Sequence, residues 1–572
     1  CMYMSSISTN LLFHVFDRLC QVPQVLSCTQ IRNFQNYRYV AVNEPILDYE
    51  EGSEERKELM ETLEKYKGKI EDIPIVIGDE EIRTGDVKYQ IEPFDHKVKI
   101  AKFHYAPRNI IQKAIDNGLK VRKSWDMTPL EKRCDIFLKA AELMSSKYRM
   151  DLLACTMMGQ AKNVVQAEID AACELIDFLR FNVQFAGELQ KTHPISPDSN
   201  EKNMHVYRGM EGFWASISPF NFTAIGGNLC QAPAIMGNVA IWKPSDTAML
   251  SNYLVYKIYR EAGLPPGVIN FVPADGPVFG DTVTSSPHLC GINFTGSVKT
   301  FQHLWKQVGM NIEHYRTYPR LIGECGGKNF HFIHKSAHLD SVANGTIRAA
   351  FEYSGQKCSA CSRMYIPQSM WPEVKRQMLE IHKKLKLGSP LIKDTFVSAV
   401  IDDKAFNRIK GYIEHAKSSP NLKIIAGGKY DNSKGYFIDP TIIETEDPED
   451  ILMKEEIFGP IVTVYSYPDD KYLEVAEKVA QTSPFALTGA IYALDETAKD
   501  ELTETFRDSA GNFYINDKST GSVVGQQPFG GNRLSGTNDK AGGAQYLLRF
   551  ASIQTVKESF EPLTDWKYPS MK

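Results

Sequence analysis

Between residues 130 and 190, apolar side chains recur at helical spacing. Ile136, Phe137 and Ala140 form one such set; Leu152, Leu153 and Met157 form another. This repeat predicts long amphipathic helices. From about residue 213 the pattern changes to short apolar runs, at 213–217, 238–242, 268–272 and 289–294, with a further segment opening at 320–323. The spacing predicts a helix over 247–262, stopped by Gly263 and Pro265-Pro266-Gly267. Strands that alternate with helices build βαβ units and a parallel sheet. Such a sheet binds nucleotides beyond the carboxyl ends of its strands. Upstream, a stretch carrying Glu50, Glu51, Glu54, Glu55, Glu58, Glu61 and Glu64 reads as the solvated face of a helix.

With 572 residues, the chain holds several domains' worth of sequence. At 24% charged and 43% hydrophobic it matches globular averages, which excludes disordered, collagen-like and disulfide-miniprotein classes. A net charge of −5 gives no reason to expect a nucleic-acid partner. No apolar run approaches the ~20 residues of a membrane span. Eleven cysteines at uneven spacings point to a reducing compartment rather than a disulfide framework. Through Asn43 the only acidic residue is Asp17, against Arg18, Arg32 and Arg38, with serines and apolar residues between them. That is the profile of a mitochondrial transit segment, so residues 1–41 are expected to be a targeting or flexible segment and the protein to reside in the mitochondrial matrix. The G-x-G-x-x-G fingerprint follows none of the strands. Gly276-Pro-Val-Phe-Gly280 and Phe294-Thr-Gly296-Ser297 read as Gly-rich turns.

Three segments change the picture when taken together: Ser218-Pro-Phe-Asn221-Phe222, Gly323-Glu324-Cys325-Gly326-Gly327-Lys328-Asn329 and Gly355-Gln356-Lys357-Cys358-Ser359. Glu456-Ile457-Phe458-Gly459-Pro460 and Pro528-Phe529-Gly530-Gly531 follow downstream. In this order and spacing the five motifs resemble the aldehyde dehydrogenase superfamily, from about residue 42 to the C-terminus. The detailed likeness is to the branch that oxidises glutamate gamma-semialdehyde, in its form without a proline-oxidising domain. The resemblance implies an α/β protein with the aldehyde dehydrogenase fold. Its parts are a Rossmann-like NAD-binding domain (42–191 and 211–320), an α/β catalytic domain (321–544) and a β-hairpin oligomerisation element (192–210 and 545–572). It also implies self-association as a homodimer or larger.

Within that resemblance Cys358 is the expected nucleophile, because hydride loss from an aldehyde first needs a tetrahedral carbon made by thiolate addition. Lys357 is expected to favour the thiolate. The oxyanion calls for preorganised donors, the Asn221 amide and the backbone N–H of Cys358. Glu324 is expected to activate the water that hydrolyses the thioester, with its pKa tuned upward. For the cofactor, NAD, the resemblance assigns Ser218, Lys243 on the adenosine ribose, and the turn Gly296, Ser297, Val298, Lys299 and Thr300 by the pyrophosphate. Glu456 would hold the nicotinamide ribose, with Phe458 packed nearby. Many family members have a glycine, threonine, glycine pattern where this chain reads Gly296-Ser-Val-Lys-Thr. NAD is favoured over NADP because no arginine follows Lys243 closely.

The expected substrate is a small molecule with a carboxylate and an ammonium at one end and an aldehyde at the other. Gly521 and Ser522 match the family's anchoring loop, and backbone N–H groups in a Gly-Ser turn suit a carboxylate. Ser359, Glu174 and Phe529 complete the expected substrate set. Another acid semialdehyde, such as that of succinate, is the second reading. A silent scaffold would be expected to lack Cys358, Glu324 or Asn221, and all three are present. Cys358 and Cys361 form a C-x-x-C, yet no second pair supplies the ligands of a zinc site, and the βαβ context does not suit a thioredoxin-like dithiol. No metal is expected, and Cys325 and Cys361 read as small buried residues.

Overall fold

Two seven-stranded sheets organise the chain. The computed structural model describes residues 39–197 and 199–572, so residues 1–38 of the expected targeting segment lie outside the described residues. The first sheet runs Arg320–Glu324, Leu289–Thr295, Phe213–Ile217, Val239–Lys243, Ile269–Phe271, Ile75–Ile77 and Glu80–Ile82. Its first five strands are parallel; the last two join antiparallel. Alternation along each strand feeds a core on either face. Trp214, Ala240 and Trp242 pack with the helices Leu130–Ser145, Leu175–Leu189 and Met249–Glu261. Phe213, Ala215, Val239 and Ile241 pack with Arg108–Asp126, Gly276–Thr284 and Val298–Met310. A parallel sheet needs both faces covered in this way.

Phe213–Ile217 comes first of the five parallel strands in sequence and sits in the middle of them. The next two strands extend the sheet to one side, and Leu289–Thr295 and Arg320–Glu324 to the other. The order therefore reverses between Phe213–Ile217 and Leu289–Thr295, and a crevice opens at the carboxyl ends of these neighbours. The second sheet runs Leu422–Ala426, Thr441–Thr445, Ile461–Tyr467, Cys361–Pro367, Asn329–Ile333, Thr488–Tyr492 and Asn512–Ile515. All its pairings are parallel except that of Leu422–Ala426. Only Cys325–Lys328 separates the end of Arg320–Glu324 from the start of Asn329–Ile333. The carboxyl edge of one sheet thus abuts the amino edge of the other.

The helical stretch over 130–190 resolves into Leu130–Ser145, Arg149–Gln160, Val164–Ala167 and Leu175–Leu189. Ala161, in the left-handed region at φ 58°, ends the second helix. A π-helical turn, Glu168–Glu174, precedes the last and turns Glu168 and Asp170 into the interior. The glutamate-rich stretch forms Glu54–Tyr66, capped by Ser53, with Leu59 and Leu63 buried. The expectation of a Gly-rich turn at 276–280 is corrected. Asp275 caps Val278 N–H at 3.2 Å and Pro277 occupies the first turn, so a helix, Gly276–Thr284, starts there.

Residues Glu201–Arg208 and Ser552–Ser559 pair antiparallel as a two-stranded ribbon, from Arg208↔Ser552 to Glu201↔Ser559. Just before it Phe550 is fully buried, its ring edge-on to Trp214 at 4.7 Å and to Tyr546 at 5.0 Å. Its carbonyl accepts from Asn238 Nδ2 at 2.8 Å, and Arg320 holds the carbonyls of Leu548, Arg549 and Ala551. Removing a buried phenylalanine ring costs about 3–5 kcal/mol. Phe550→Ala is therefore expected to lower the denaturant midpoint followed by tryptophan fluorescence, by an amount equivalent to that loss. A shift below about 1 kcal/mol would mean that the ring does not close this core.

Candidate active site

The cleft where the two sheets meet is lined by Glu174, Glu324, Lys357, Cys358, Ser359, Gly521, Ser522 and Phe529, with Phe222, Thr520 and Tyr546 among their neighbours. All five residues expected to meet substrate are therefore brought together with Cys358 and Glu324. Asn221 is buried beside the cleft, and its Nδ2 donates to the Gln356 carbonyl at 3.2 Å. A carboxamide nitrogen carries two N–H groups. One of them is held by the Gln356 carbonyl.

The Cys358 loop is pinned from beneath. Asn329, the first residue of its strand, donates from Nδ2 to the carbonyls of Cys358 at 2.6 Å and Ala360 at 2.9 Å. Asn329 Oδ1 accepts from Thr488 N–H at 3.0 Å. Ser359 Oγ pairs with Thr520 Oγ1 at 2.7 Å, which ties the cysteine loop to the Gly521–Ser522 turn. Ser519 N–H donates to His331 Nε2 at 3.1 Å, and burial pushes the pKa of this neutral histidine down to about 3. Gly521 has φ +96°, which a side chain tolerates poorly, and Lys518 Nζ lies 3.3 Å from where its Cβ would stand. A cation thus stands beside the turn expected to meet a carboxylate. Asn329, Thr520 and Lys518 were not singled out from sequence. Asn329 lies inside the Gly323–Asn329 motif, but only the fold shows that it carries the cysteine loop.

Glu324 ends its strand under a second clasp. Gly296 N–H donates to the Glu324 carbonyl at 3.1 Å, Cys325 N–H to Ser535 O at 2.8 Å and Thr537 N–H to Gly323 O at 2.9 Å. Burial, with the Asp539 carboxylate nearby, raises Glu324 to about 8. Burial and Asp170 raise Glu174 to about 8 as well. Cys358 is pushed well above the ordinary thiol range, first by burial and then by Glu324, Glu456 and Glu174. The expectation that Lys357 favours the thiolate is corrected: its Nζ is bound to Glu352 at 2.9 Å. Cys361 is buried, its Sγ 3.5 Å from the Arg363 carbonyl, and Cys325 is buried too.

The residues expected to meet the cofactor lie along the adjoining crevice, outside this cleft. Ser218 Oγ accepts from Trp242 Nε1 at 3.0 Å, and Lys243 Nζ rests on the Pro244 carbonyl at 3.3 Å. Gly296 leads into the helix Val298–Met310, where Ser297 is the N-cap and accepts from Thr300 N–H at 3.3 Å; Ser297, Lys299 and Thr300 are exposed. Glu456 Oε1 accepts from Gly327 N–H at 2.9 Å, with burial raising its pKa to about 7. Phe458 holds φ 53°, its ring edge-on to Phe220 at 5.9 Å. With Lys357, Glu456 and Phe458 border a small cavity behind the cysteine loop. Among the described residues, no group of three or more His, Cys, Asp or Glu is arranged to hold a metal ion, and no helix is long and apolar enough to cross a membrane.

A half-buried cysteine on a clasped loop, a buried carboxamide and a raised carboxyl at a switch-point crevice define a class, and residues 83–556 match the aldehyde dehydrogenase family. The chain belongs to that family. It is 60% identical over 532 residues, 93% of this chain and 94% of the other, to the mitochondrial delta-1-pyrroline-5-carboxylate dehydrogenase of Homo sapiens. The Dictyostelium discoideum protein of that name is 50% identical over 93% of this chain and 95% of its own. Among solved structures, the delta-pyrroline-5-carboxylate dehydrogenase of Mycobacterium tuberculosis bound with NAD superposes with a TM-score of 0.90 at 43% identity, covering 94% of this chain and 99% of that one.

The raised thiol yields a test on the chain without cofactor. Deprotonation limits alkylation, so iodoacetamide is expected to label Cys358 at pH 7 at least about tenfold more slowly than a free cysteine of pKa near 8.5. The rate is expected to climb with pH without a plateau below pH 9. A plateau near neutrality, followed by mass spectrometry of the Cys358 peptide, would show a stabilised thiolate instead.

Proposed function

We propose that this protein oxidises L-glutamate gamma-semialdehyde, in equilibrium with delta-1-pyrroline-5-carboxylate, to L-glutamate with NAD, the second step of proline breakdown. The observation that carries this reading is one cleft lined by Cys358, Glu324, Glu174 and the Gly521–Ser522 turn, with Lys518 beside that turn. A positive turn suits the substrate carboxylate and an acidic side chain suits its ammonium. The named activity of the 60% identical human relative supports the same substrate.

The residues present fit NAD. Gly296 lacks a Cβ where its own neighbour Phe294 already crowds, 2.7 Å from that point, and the helix Val298–Met310 presents free N–H groups to a pyrophosphate. Lys243 would meet the adenosine ribose and Ser218, just past the end of the adjacent strand, would also contact the cofactor, while Glu456 would hold the nicotinamide ribose with Phe458 nearby. NAD, when bound, supplies the hydride acceptor.

The chain's own groups perform the remaining steps. Cys358 Sγ passes its proton to solvent and bonds to the aldehyde carbon as the C=O π pair moves onto the oxygen. The oxyanion is held by Asn221 Nδ2 and the Cys358 N–H, donors already fixed before reaction. Loss of the aldehyde hydrogen as hydride leaves a thioester on Cys358. Glu324 takes a proton from water, the hydroxide attacks the thioester, and the thiolate is expelled and takes that proton back from Glu324 as glutamate leaves. A thiol held neutral until substrate arrives resists alkylation and oxidation meanwhile.

Self-association as a homodimer or larger is supported by the ribbon of Glu201–Arg208 and Ser552–Ser559, followed by exposed Phe560, Leu563, Trp566 and Tyr568. A mitochondrial address, in the matrix, is supported by the mitochondrial naming of the mouse and human relatives and by the acid-poor, arginine-bearing start.

Two outcomes test this reading. Wild-type protein is expected to form NADH, read at 340 nm, with delta-1-pyrroline-5-carboxylate, and Cys358→Ala to form none. Turnover of succinate semialdehyde alone would transfer the assignment to another acid semialdehyde. The pH dependence follows from Glu324: only the ionised carboxylate serves as base, and that form prevails above about 8. Thioester hydrolysis is therefore expected to rise with pH through that value. Glu324→Gln is expected to retain a burst of NADH and to accumulate acyl-enzyme visible by intact-protein mass spectrometry, whereas steady turnover in that variant would remove Glu324 from the mechanism.

A further inference from the structure

The Asn221 amide and the Cys358 loop come from different sheets, so something must set the distance between them. Asn221 lies in a short passage gripped on both sides by one distant segment. Gln160 Nε2 donates to the Phe220 carbonyl at 2.7 Å, and Gln160 Oε1 accepts from Thr223 Oγ1 at 3.0 Å. Asp170 accepts from Thr223 N–H at 3.0 Å and Ala224 N–H at 2.9 Å. The N-cap position of the helix Thr223–Ile235 is Phe222, which has no side chain able to cap it. Asp170 therefore supplies the cap from another element.

Lys162 completes the arrangement. Its side chain is 1% exposed, and its Nζ donates to Asp170 Oδ2 at 2.7 Å. The ammonium lies 4.0 Å from the centroid of the Phe222 ring and 4.6 Å from that of Tyr353. Phe222 follows Asn221. Tyr353 opens a run of three left-handed residues, with φ 52° at Tyr353, 55° at Ser354 and 66° at Gly355, that leads into Gln356 and Cys358. Two consecutive non-glycine residues at positive φ are strained and persist only where surroundings over-determine them. A desolvated ammonium between two aromatic faces is one such determinant.

We propose that Lys162, seated on Asp170, is a positioning residue that fixes the Asn221 amide against the turn presenting Cys358. The proposal rests on the reaction assigned above. Lys162 touches neither substrate nor cofactor; it sets where the oxyanion donor stands. The ion pair gives the two loops a common anchor, and the rings on either side of the ammonium hold them in register.

The test is a double-mutant cycle on purified full-length protein, assayed with delta-1-pyrroline-5-carboxylate and NAD. Breaking a buried pair by one partner strands a charge, so Lys162→Met is accompanied by Lys162→Met/Asp170→Asn, which removes both charges together. Tyr353→Leu removes only one ring and serves where either of these does not fold. Asn221→Ala is expected to lower kcat about 100-fold, as for loss of an oxyanion donor. The charge-free pair is expected to lower kcat about tenfold or more with KM within about threefold, and Tyr353→Leu to lower it in the same sense by less. Each is expected to add nothing once combined with Asn221→Ala, because residues acting through one another are non-additive. Iodoacetamide labelling of Cys358 is expected to stay within about twofold of wild type, a readout that general loosening of the site would move. Full additivity with Asn221→Ala, or unchanged kcat in folded variants, would overturn the proposal. Wild-type protein inactive on this substrate would instead overturn the assigned reaction.

Discussion

Everything at the site depends on how closely two sheet edges can approach, and that approach is set by Cys325–Lys328. Glu324 is the last residue of one sheet and Asn329 the first of the other. Glu324 lines the cleft directly; Asn329 acts by holding the carbonyls of Cys358 and Ala360. The two glycines between them are required by contact. A Cβ on Gly326 would stand 2.1 Å from Glu456 Oε2, and one on Gly327 would stand 2.5 Å from the Cys358 carbonyl oxygen. One short link thus sets the positions of Glu324, the Cys358 loop and the Glu456 carboxylate relative to one another.

Packing at this distance has an electrostatic consequence. Glu174, Glu324 and Glu456 lie near the half-buried Cys358 thiol, and desolvation raises all four groups. The adjacent cation, Lys357, is committed to Glu352. Desolvation here favours the neutral forms of thiol and carboxyls alike.

The parallel sheet was legible because its strands are short, apolar and separated by helices. Phe213–Ile217 matches the expected span, Val239–Lys243 and Ile269–Phe271 differ from theirs by one residue at each end, and Leu289–Thr295 and Arg320–Glu324 run one residue further. The antiparallel additions Ile75–Ile77 and Glu80–Ile82 were not, since three-residue strands carry no period to detect. Glycine misled at 276–280, where an aspartate cap and a proline in the first turn outweighed it. At the site, motifs pointed to the residues that line the cleft but not to those that hold them. Lys162 is one lysine among many in sequence, and its burial against Asp170, Phe222 and Tyr353 arises only when three separated segments converge.

The ribbon partner Glu201–Arg208 must wait for Ser552–Ser559, and the core around Trp214 stays open until Phe550 arrives. A ribosome extends the chain from its N-terminus, so the cofactor sheet can be largely assembled yet unsealed while the whole second sheet is still being made. During that interval Trp214 and its neighbours present an apolar face to the cell. Synthesis of this enzyme thus passes through an unsealed stage, and premature termination before Phe550 leaves its first-formed half without that ring. Demand on chaperones, and sensitivity to C-terminal frameshifts, follow from where one phenylalanine sits in the order of translation.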